Sequence, residues 1–228
     1  MSKKIYINPG HSDKDPGAVG YETERKLNVK VSNYMNEYLL ANYDCQTKMN
    51  PGSMSSLSTI ATDANSWGAD LFVSNHFNAG GGDGYEALVY STKNKALGQM
   101  FEKHVKAIGQ NSRGVKYRPD LGVLRLTNMP AVLNEGAFVD NKKDINDWND
   151  DAELKAMGIA YAEAAAEFLS LEKKAVKPEP APGVKAESDK ANVLYRVQVG
   201  AYGKKANAEA MQKKLKSAGF DATIVEAK

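Results

Sequence analysis

Between residues 3 and 171, short apolar runs alternate with longer stretches whose apolar side chains recur at helical spacing, and this alternation restricts the chain to one broad architecture. Strand-like runs fall at residues 3–8, around Cys45, and at 70–75, 85–90, 122–126 and 130–134. Between them, Leu27, Val31, Tyr34 and Tyr38 form one helical stripe, with Met35 and Leu39 beside it. A second helix spans about residues 54–67 and stops at Gly68; a third carries Leu97, Met100, Phe101, Val105 and Ile108. The last helix covers about 151–171, with Leu154, Met157, Tyr161, Ala165 and Phe168 facing inward. Strands alternating with helices of this length predict an α/β domain: a mostly parallel sheet flanked by helices on both faces, with room for an antiparallel strand at 85–90.

After Leu171 the composition changes. Residues 172–192 are rich in Lys, Glu, Ala and Pro and nearly devoid of large apolar side chains, the composition of an extended, semi-stiff linker. Residues 193–228 then resume as strand, helix, strand. Tyr195, Val197, Val199 and Ala201 alternate with Arg196, Gln198, Gly200 and Tyr202. Ala208, Met211, Leu215 and Ala218 form a helical stripe, and Phe220, Ala222 and Ile224 alternate again. The expected division is a body at 1–171, a linker at 172–192 and a small C-terminal βαβ module at 193–228.

A body of this size can build its core without disulfides. Cys45, the single cysteine, has no intrachain partner and reads as a small strand residue. The formal net charge of +2 does not predict a nucleic-acid partner. The charge is unevenly spread: residues 171–228 hold 12 Lys/Arg against 7 Asp/Glu, and residues 1–170 hold 18 against 21. Such a basic tail suits an anionic polymer, a cell wall for instance. No stretch approaches the roughly 20 apolar residues of a membrane span. Lys3 and Lys4 are not followed by the apolar run of a secretory signal peptide. The expectation is therefore a chain made in the cytoplasm that reaches a target outside the membrane only after release.

The chain has three histidines. His11 and His76 each follow an apolar run, and in an open α/β sheet ligand sites form just beyond the carboxyl ends of strands. Two histidines brought to one edge suggest a metal, and a catalytic zinc needs three protein ligands and one open position. His104 lies mid-helix beside Leu97, Phe101 and Ile108 and reads as a boundary histidine. The third ligand is Glu22 or Glu24, both at the start of the first helix. Glu135 follows the apolar run 130–133 and sits in Asn134-Glu-Gly136; a carboxylate at the end of a buried strand is costly unless paired or working, so it is the natural proton carrier.

Residues 3–171 resemble the zinc-dependent N-acetylmuramoyl-L-alanine amidases of the amidase-3 family. The matching pieces are Asn8-Pro-Gly-His11, Asp15-Pro-Gly-Ala18, Glu24-Arg-Lys-Leu-Asn28, Ala64-Asn65, Ala69-Asp-Leu-Phe-Val-Ser-Asn-His76-Phe-Asn-Ala79, Arg113-Gly-Val-Lys116 and Pro130-Ala-Val-Leu-Asn-Glu135-Gly-Ala-Phe138. Their order and spacing cover the whole body. The resemblance implies zinc bound by His11, Glu24 and His76, with Glu135 as the catalytic carboxylate; its register selects Glu24 over Glu22. It implies hydrolysis of the amide between N-acetylmuramic acid and the L-alanine of the peptidoglycan stem peptide. Two departures are visible: Asn8 stands where the family often has Asp, and Asn75 where an apolar residue is common. A zinc peptidase cutting within the stem would use the same ligands. A catalytically silent wall-binding protein is the alternative from another class, which the intact set of four argues against.

The tail, from Tyr195-Arg-Val-Gln-Val-Gly-Ala-Tyr202 to Gly219-Phe-Asp-Ala-Thr-Ile-Val225, resembles one repeat of a sporulation-related (SPOR) domain. That resemblance implies binding to peptidoglycan glycan strands, and alternation along 195–202 puts Arg196, Gln198 and Tyr202 on the sheet face opposite Val197 and Val199, available to glycan. Its family uses two such repeats, and a lone unit of about 35 residues rarely folds unaided. Two chains pairing through Val197, Val199, Met211, Leu215 and Ile224 would complete the domain as a homodimer. Such a chain suits a phage endolysin or a sporulation-associated lytic amidase.

Overall fold

The computed structural model describes residues 2–174, 200, 202–217 and 220–226. They belong to two compact units, Met1–Ala175 and Val176–Lys228. The first unit is built on six strands: β1 (Lys3–Pro9), β2 (Cys45–Met49), β3 (Leu71–Asn78), β4 (Tyr85–Val89), β5 (Ser112–Tyr117) and β6 (Ala131–Phe138). Their order in the sheet is β2-β1-β3-β6-β4-β5. β1 pairs in parallel with both β2 and β3, and β3 with β6. β4 is antiparallel to β6 and parallel to β5. The body is thus the α/β fold expected, with its antiparallel strand where the sequence left room for one.

The strand order places helices on both faces. From β1 the chain crosses outward to β2, then back past β1 to β3. Right-handed crossovers running in opposite directions leave their helices on opposite faces. α1 (Glu24–Asn42) joins α3 (Lys95–Ala107) and α6 (Asp151–Leu169) over Ile5, Ile7, Val73 and Val132. α2 (Leu57–Trp67) and the short α4 (Gly122–Arg125) cover Tyr6, Phe72, Leu88 and Leu133 on the other face.

Strand periodicity of two then decides what lies next along that second face. Tyr6 is followed by Asn8, Phe72 by Ser74 and His76, and Leu133 by Glu135, all on the same face. α2 and α4 bury its apolar half, and the polar half, toward the strands' C-terminal ends, floors a cleft. β1 and β3 flank the point where the chain reverses direction across the sheet, which is where open α/β sheets place ligands.

The structure departs from the sequence-based expectation in four places. Residues 122–126, expected as a strand, form α4, with Arg125 N–H donating to Leu121 and Leu126 N–H to Gly122. Val123 and Leu124 pack there beside Ile60 and Ala64, and five residues are too few for apolar spacing to separate helix from strand. β5 was not expected: Gly114, at φ 87°, interrupts it, and Arg113 and Lys116 are exposed, as suits an edge strand. The short α5 (Lys142–Asp147) was also missed; Asn141 caps it by accepting from the N–H groups of Lys143 and Asp144. In the second unit α7 (Lys205–Ser217) matches the expected helix, but residues 220–226 form no strand. The ladder partner that alternation there requires, residues 195–201, falls almost wholly outside the described residues. So do Arg196, Gln198, and the Val197 and Val199 expected to pair two copies. Of the proposed linker 172–192, residues 172–174 belong instead to the first unit: Asp44 N–H donates to the Glu172 carbonyl at 3.0 Å, Lys173 forms a β-bridge with Tyr43, and Lys174 N–H donates to the Asn42 carbonyl at 2.8 Å, while residues 175–192 lie outside the described residues. Tyr202 is described and exposed.

Candidate metal centre

His11, Glu24 and His76 come from three elements. His11 follows β1, Glu24 opens α1, and His76 lies in β3. One oxygen of the buried Glu24 lies 2.9 Å from His11 Nε2 and the other 2.8 Å from His76 Nδ1. The candidate ligand atoms all lie within 4.8 Å of one another. Two backbone N–H groups fix the carboxylate: Ala18 donates to Oε2 at 2.9 Å and Phe77 to Oε1 at 3.3 Å. Burial alone would raise the Glu24 carboxyl. Hydrogen bonds from His11 and His76 outweigh it and hold the group well below the usual range. The same Glu24 bond raises His11 to about 9, against the opposing effect of its burial.

Local sequence explains how three polar side chains converge. His11 adopts φ 64°, a left-handed conformation rare for a residue with a side chain. Arg25 holds that turn by donating to the carbonyls of Pro9 and Gly10 at 3.0 and 3.3 Å. Two glycines make room. A Cβ on Gly10 would fall 2.3 Å from the His76 ring, and one on Gly17 would fall 2.5 Å from both Glu24 and His11. His11 Nδ1 lies 2.8 Å from Asp15, which leaves Nε2 facing the cluster. A carboxylate behind a histidine in this way fixes its tautomer and orientation at metal sites.

Glu135 is the register partner of His76 on the neighbouring strand. Its Oε2 is enclosed and holds no hydrogen bond among the described residues. Burial pushes this carboxyl well above the usual range, helped by the charges of Glu24 and Glu86, while His11 and Arg118 oppose the shift. Behind the pair, on the α1 face, runs a buried chain of polar contacts. Tyr85 O–H donates to Asn134 at 2.7 Å, Asn134 to Asn75 at 3.1 Å, and Asn75 to Ser32 at 3.0 Å. These bonds tie β4, β6, β3 and α1 together directly behind the site, and they give Asn75 its function. Asn8 does the same on the cleft side, donating to Ser74 and accepting from Asn50, both at 2.8 Å. The cleft is also lined by Ser12, Ser55, Leu57 and Val123.

The structure therefore brings together His11, Glu24, His76 and Glu135 and leaves the other candidates elsewhere. Glu22 is paired with Lys26 at 2.8 Å, and His104 lies 2.7 Å from Glu167. Asp15 carried no role in the sequence reading, although it sits four residues after His11 within the same motif. Glu86 and Arg113 likewise carry no signal in the sequence that assigns them a role. Two imidazoles and a carboxylate at this spacing suit a divalent metal that keeps one position open.

A family model described as N-acetylmuramoyl-L-alanine amidase matches residues 5–167, and one described as SPOR domain matches residues 158–226. The second match begins inside α6, whose Tyr161 and Ala165 are buried in the core of the first unit. The chain is 32% identical to the N-acetylmuramoyl-L-alanine amidase CwlM of Bacillus licheniformis, over 97% of this chain and 84% of that protein. It is 34% identical to the endolysin of Bacillus phage SPP1, over 85% and 76%. Among solved structures, the catalytic domain of the amidase CwlV from Bacillus (Paenibacillus) polymyxa var. colistinus superposes with a TM-score of 0.70 at 27% identity. That superposition covers 75% of this chain and 99% of that domain. By fold, by sequence and by the extent of these matches, the chain belongs to the N-acetylmuramoyl-L-alanine amidase family.

Proposed function

We propose that this chain hydrolyses the amide between N-acetylmuramic acid and L-alanine in peptidoglycan, using zinc held by His11, Glu24 and His76 and a proton carried by Glu135. The observation that carries the reading is one arrangement: Glu24 bridges both histidines, and the enclosed, unpaired Oε2 of Glu135 belongs to the strand neighbour of His76. A zinc ion there supplies a Lewis acid for the scissile carbonyl and lowers the pKa of water toward about 7. Asp15 keeps His11 Nε2 turned toward Glu24, where the ion would sit, and the N–H groups of Ala18 and Phe77 orient Glu24. Glu135 accepts the proton of the attacking water as the C–O bond forms. It then delivers that proton to the alanine nitrogen as the C–N bond breaks. No covalent enzyme intermediate is needed. The substrate lies outside the cytoplasmic membrane, and the chain acts on it there, in phage lysis or in lysis of a sporulating mother cell. The SPOR-like tail, with Arg196, Gln198 and Tyr202, serves as a glycan-binding module that holds the body on the wall.

Digestion of purified walls tests the reaction. New L-alanine amino termini should accumulate, stop on chelation and resume on adding zinc. Release of other amino termini in their place would convert the reading to a peptidase within the stem.

A further inference from the structure

β5 carries a side chain that neither the fold nor the hydrolysis uses. β5 is parallel to β4, and β4 antiparallel to β6, so Arg113 lies at the sheet edge where β6 ends and the cleft opens. Glu86 of β4 is the register partner of Glu135. Arg113 Nε donates to Glu86 Oε1 at 2.6 Å, and Asn78 holds the other Glu86 oxygen at 3.3 Å. The guanidinium also sits 5.3 Å from the centre of the Phe138 ring. That ring is fixed in turn. Its residue donates an N–H to the buried Asp144 at 2.8 Å, and a Cβ on Gly82 would fall 2.2 Å from Cζ, so the 79–84 loop presses on it.

Arg113 is thus held at Nε and over an aromatic ring. Its two terminal amino groups make no hydrogen bond among the described residues, and the side chain is 44% exposed. Arg118 differs: both Nε and Nη2 are committed to Asp120. An exposed ion pair contributes only about 0–1 kcal/mol, so stability alone does not account for a guanidinium oriented this way. A fork with both ends free is shaped for a carboxylate.

We propose that Arg113, positioned by Glu86 and Phe138, binds a free carboxylate on the peptide side of the substrate, that of the second stem residue. The proposal rests on the amidase reading above. Neighbouring strands lie about 4.8 Å apart, so Glu86, two strands from His76, is about 10 Å across the sheet from the metal position. An extended peptide advances about 3.4 Å per residue, and a guanidinium–carboxylate contact adds roughly 3 to 4 Å. The carboxylate at that reach belongs to the second residue beyond the scissile amide. A glutamate joined through its side-chain carboxyl has its α-carboxylate free at that point.

The test uses the zinc-loaded full chain and two soluble muramyl tripeptides that differ only in the second residue, D-glutamate with a free α-carboxylate or its α-amide. The wild type should favour the free acid about ten- to a hundredfold in kcat/KM, chiefly through KM. Arg113→Ala should bring that ratio to near one, and Arg113→Lys, which keeps the charge without the fork, should fall between. Zinc content is measured alongside, and a merely structural arginine would leave the acid-to-amide ratio unchanged. Equal cleavage of both substrates by the wild type, or an undiminished ratio in both variants, overturns the proposal while the amidase reading stands. Failure to release L-alanine amino termini from the tripeptides and from whole walls removes both.

Discussion

His11 reaches the cluster only because its backbone takes a left-handed turn, and Asp15 locks the ring that results. Asp15 touches no metal position. Its contribution is to hold Nδ1, so that Nε2 is presented without rotational freedom. Asp15→Ala is expected to weaken zinc affinity about 10- to 100-fold while the protein stays folded, measured by competition with a chelator of known affinity. An unchanged affinity would mean that the turn alone orients His11. Residues of this kind show why the site was partly legible in the sequence. His11, His76 and Glu135 each come shortly after an apolar run, and in an α/β sheet such positions converge toward the strands' C-terminal edge, although β3 and β6 continue past His76 and Glu135 to Asn78 and Phe138. Glu24 needed a matching family motif to be preferred over Glu22, because either carboxylate suits a helix start. Asp15, Glu86 and Arg113 act through contacts between elements, and polar residues in loops and on an edge strand carry no periodic signal.

At the scale of elements, the body depends on how closely α1 and α6 approach. A Cβ on Gly158 would fall 2.7 Å from the Tyr34 Cβ, 2.8 Å from the Val31 carbonyl and 2.9 Å from the Met35 nitrogen. None of these atoms is the free end of a flexible side chain, so the helices themselves must separate. Gly158→Ala is expected to destabilise by about 1 to 3 kcal/mol, lowering Tm by roughly 2 to 12 °C in a thermal melt, with zinc content unchanged. A melt indistinguishable from the wild type would show that the crossing can relax. The long helices and buried strands were legible because their apolar spacing persists over many residues. The α4 segment misled because Val123 and Leu124 sit side by side in a run too short to show a period. β5 stayed hidden because a positive-φ glycine interrupts it and its exposed face is basic.

At the scale of the whole molecule, every proposed ligand and the proton carrier lie in the unit Met1–Ala175. A chain ending at Lys174 is expected to release L-alanine termini from soluble muropeptides at a rate within about threefold of the full chain, since His11, Glu24, His76 and Glu135 all belong to the first unit. It should bind whole walls more weakly, read by co-sedimentation. A folded, zinc-loaded truncation inert on soluble substrate would mean that the tail completes the site. In the proposed mechanism Glu135, the register partner of His76, moves the proton, and His11, Glu24 and His76 hold the ion. Glu135→Gln keeps the shape of the side chain and removes its basicity, so zinc content and turnover measured on the same preparation separate the two roles. The variant should retain zinc as the wild type does and lose about 10²- to 10⁴-fold in rate. A loss below about tenfold, or loss of the zinc itself, would contradict the role assigned to Glu135.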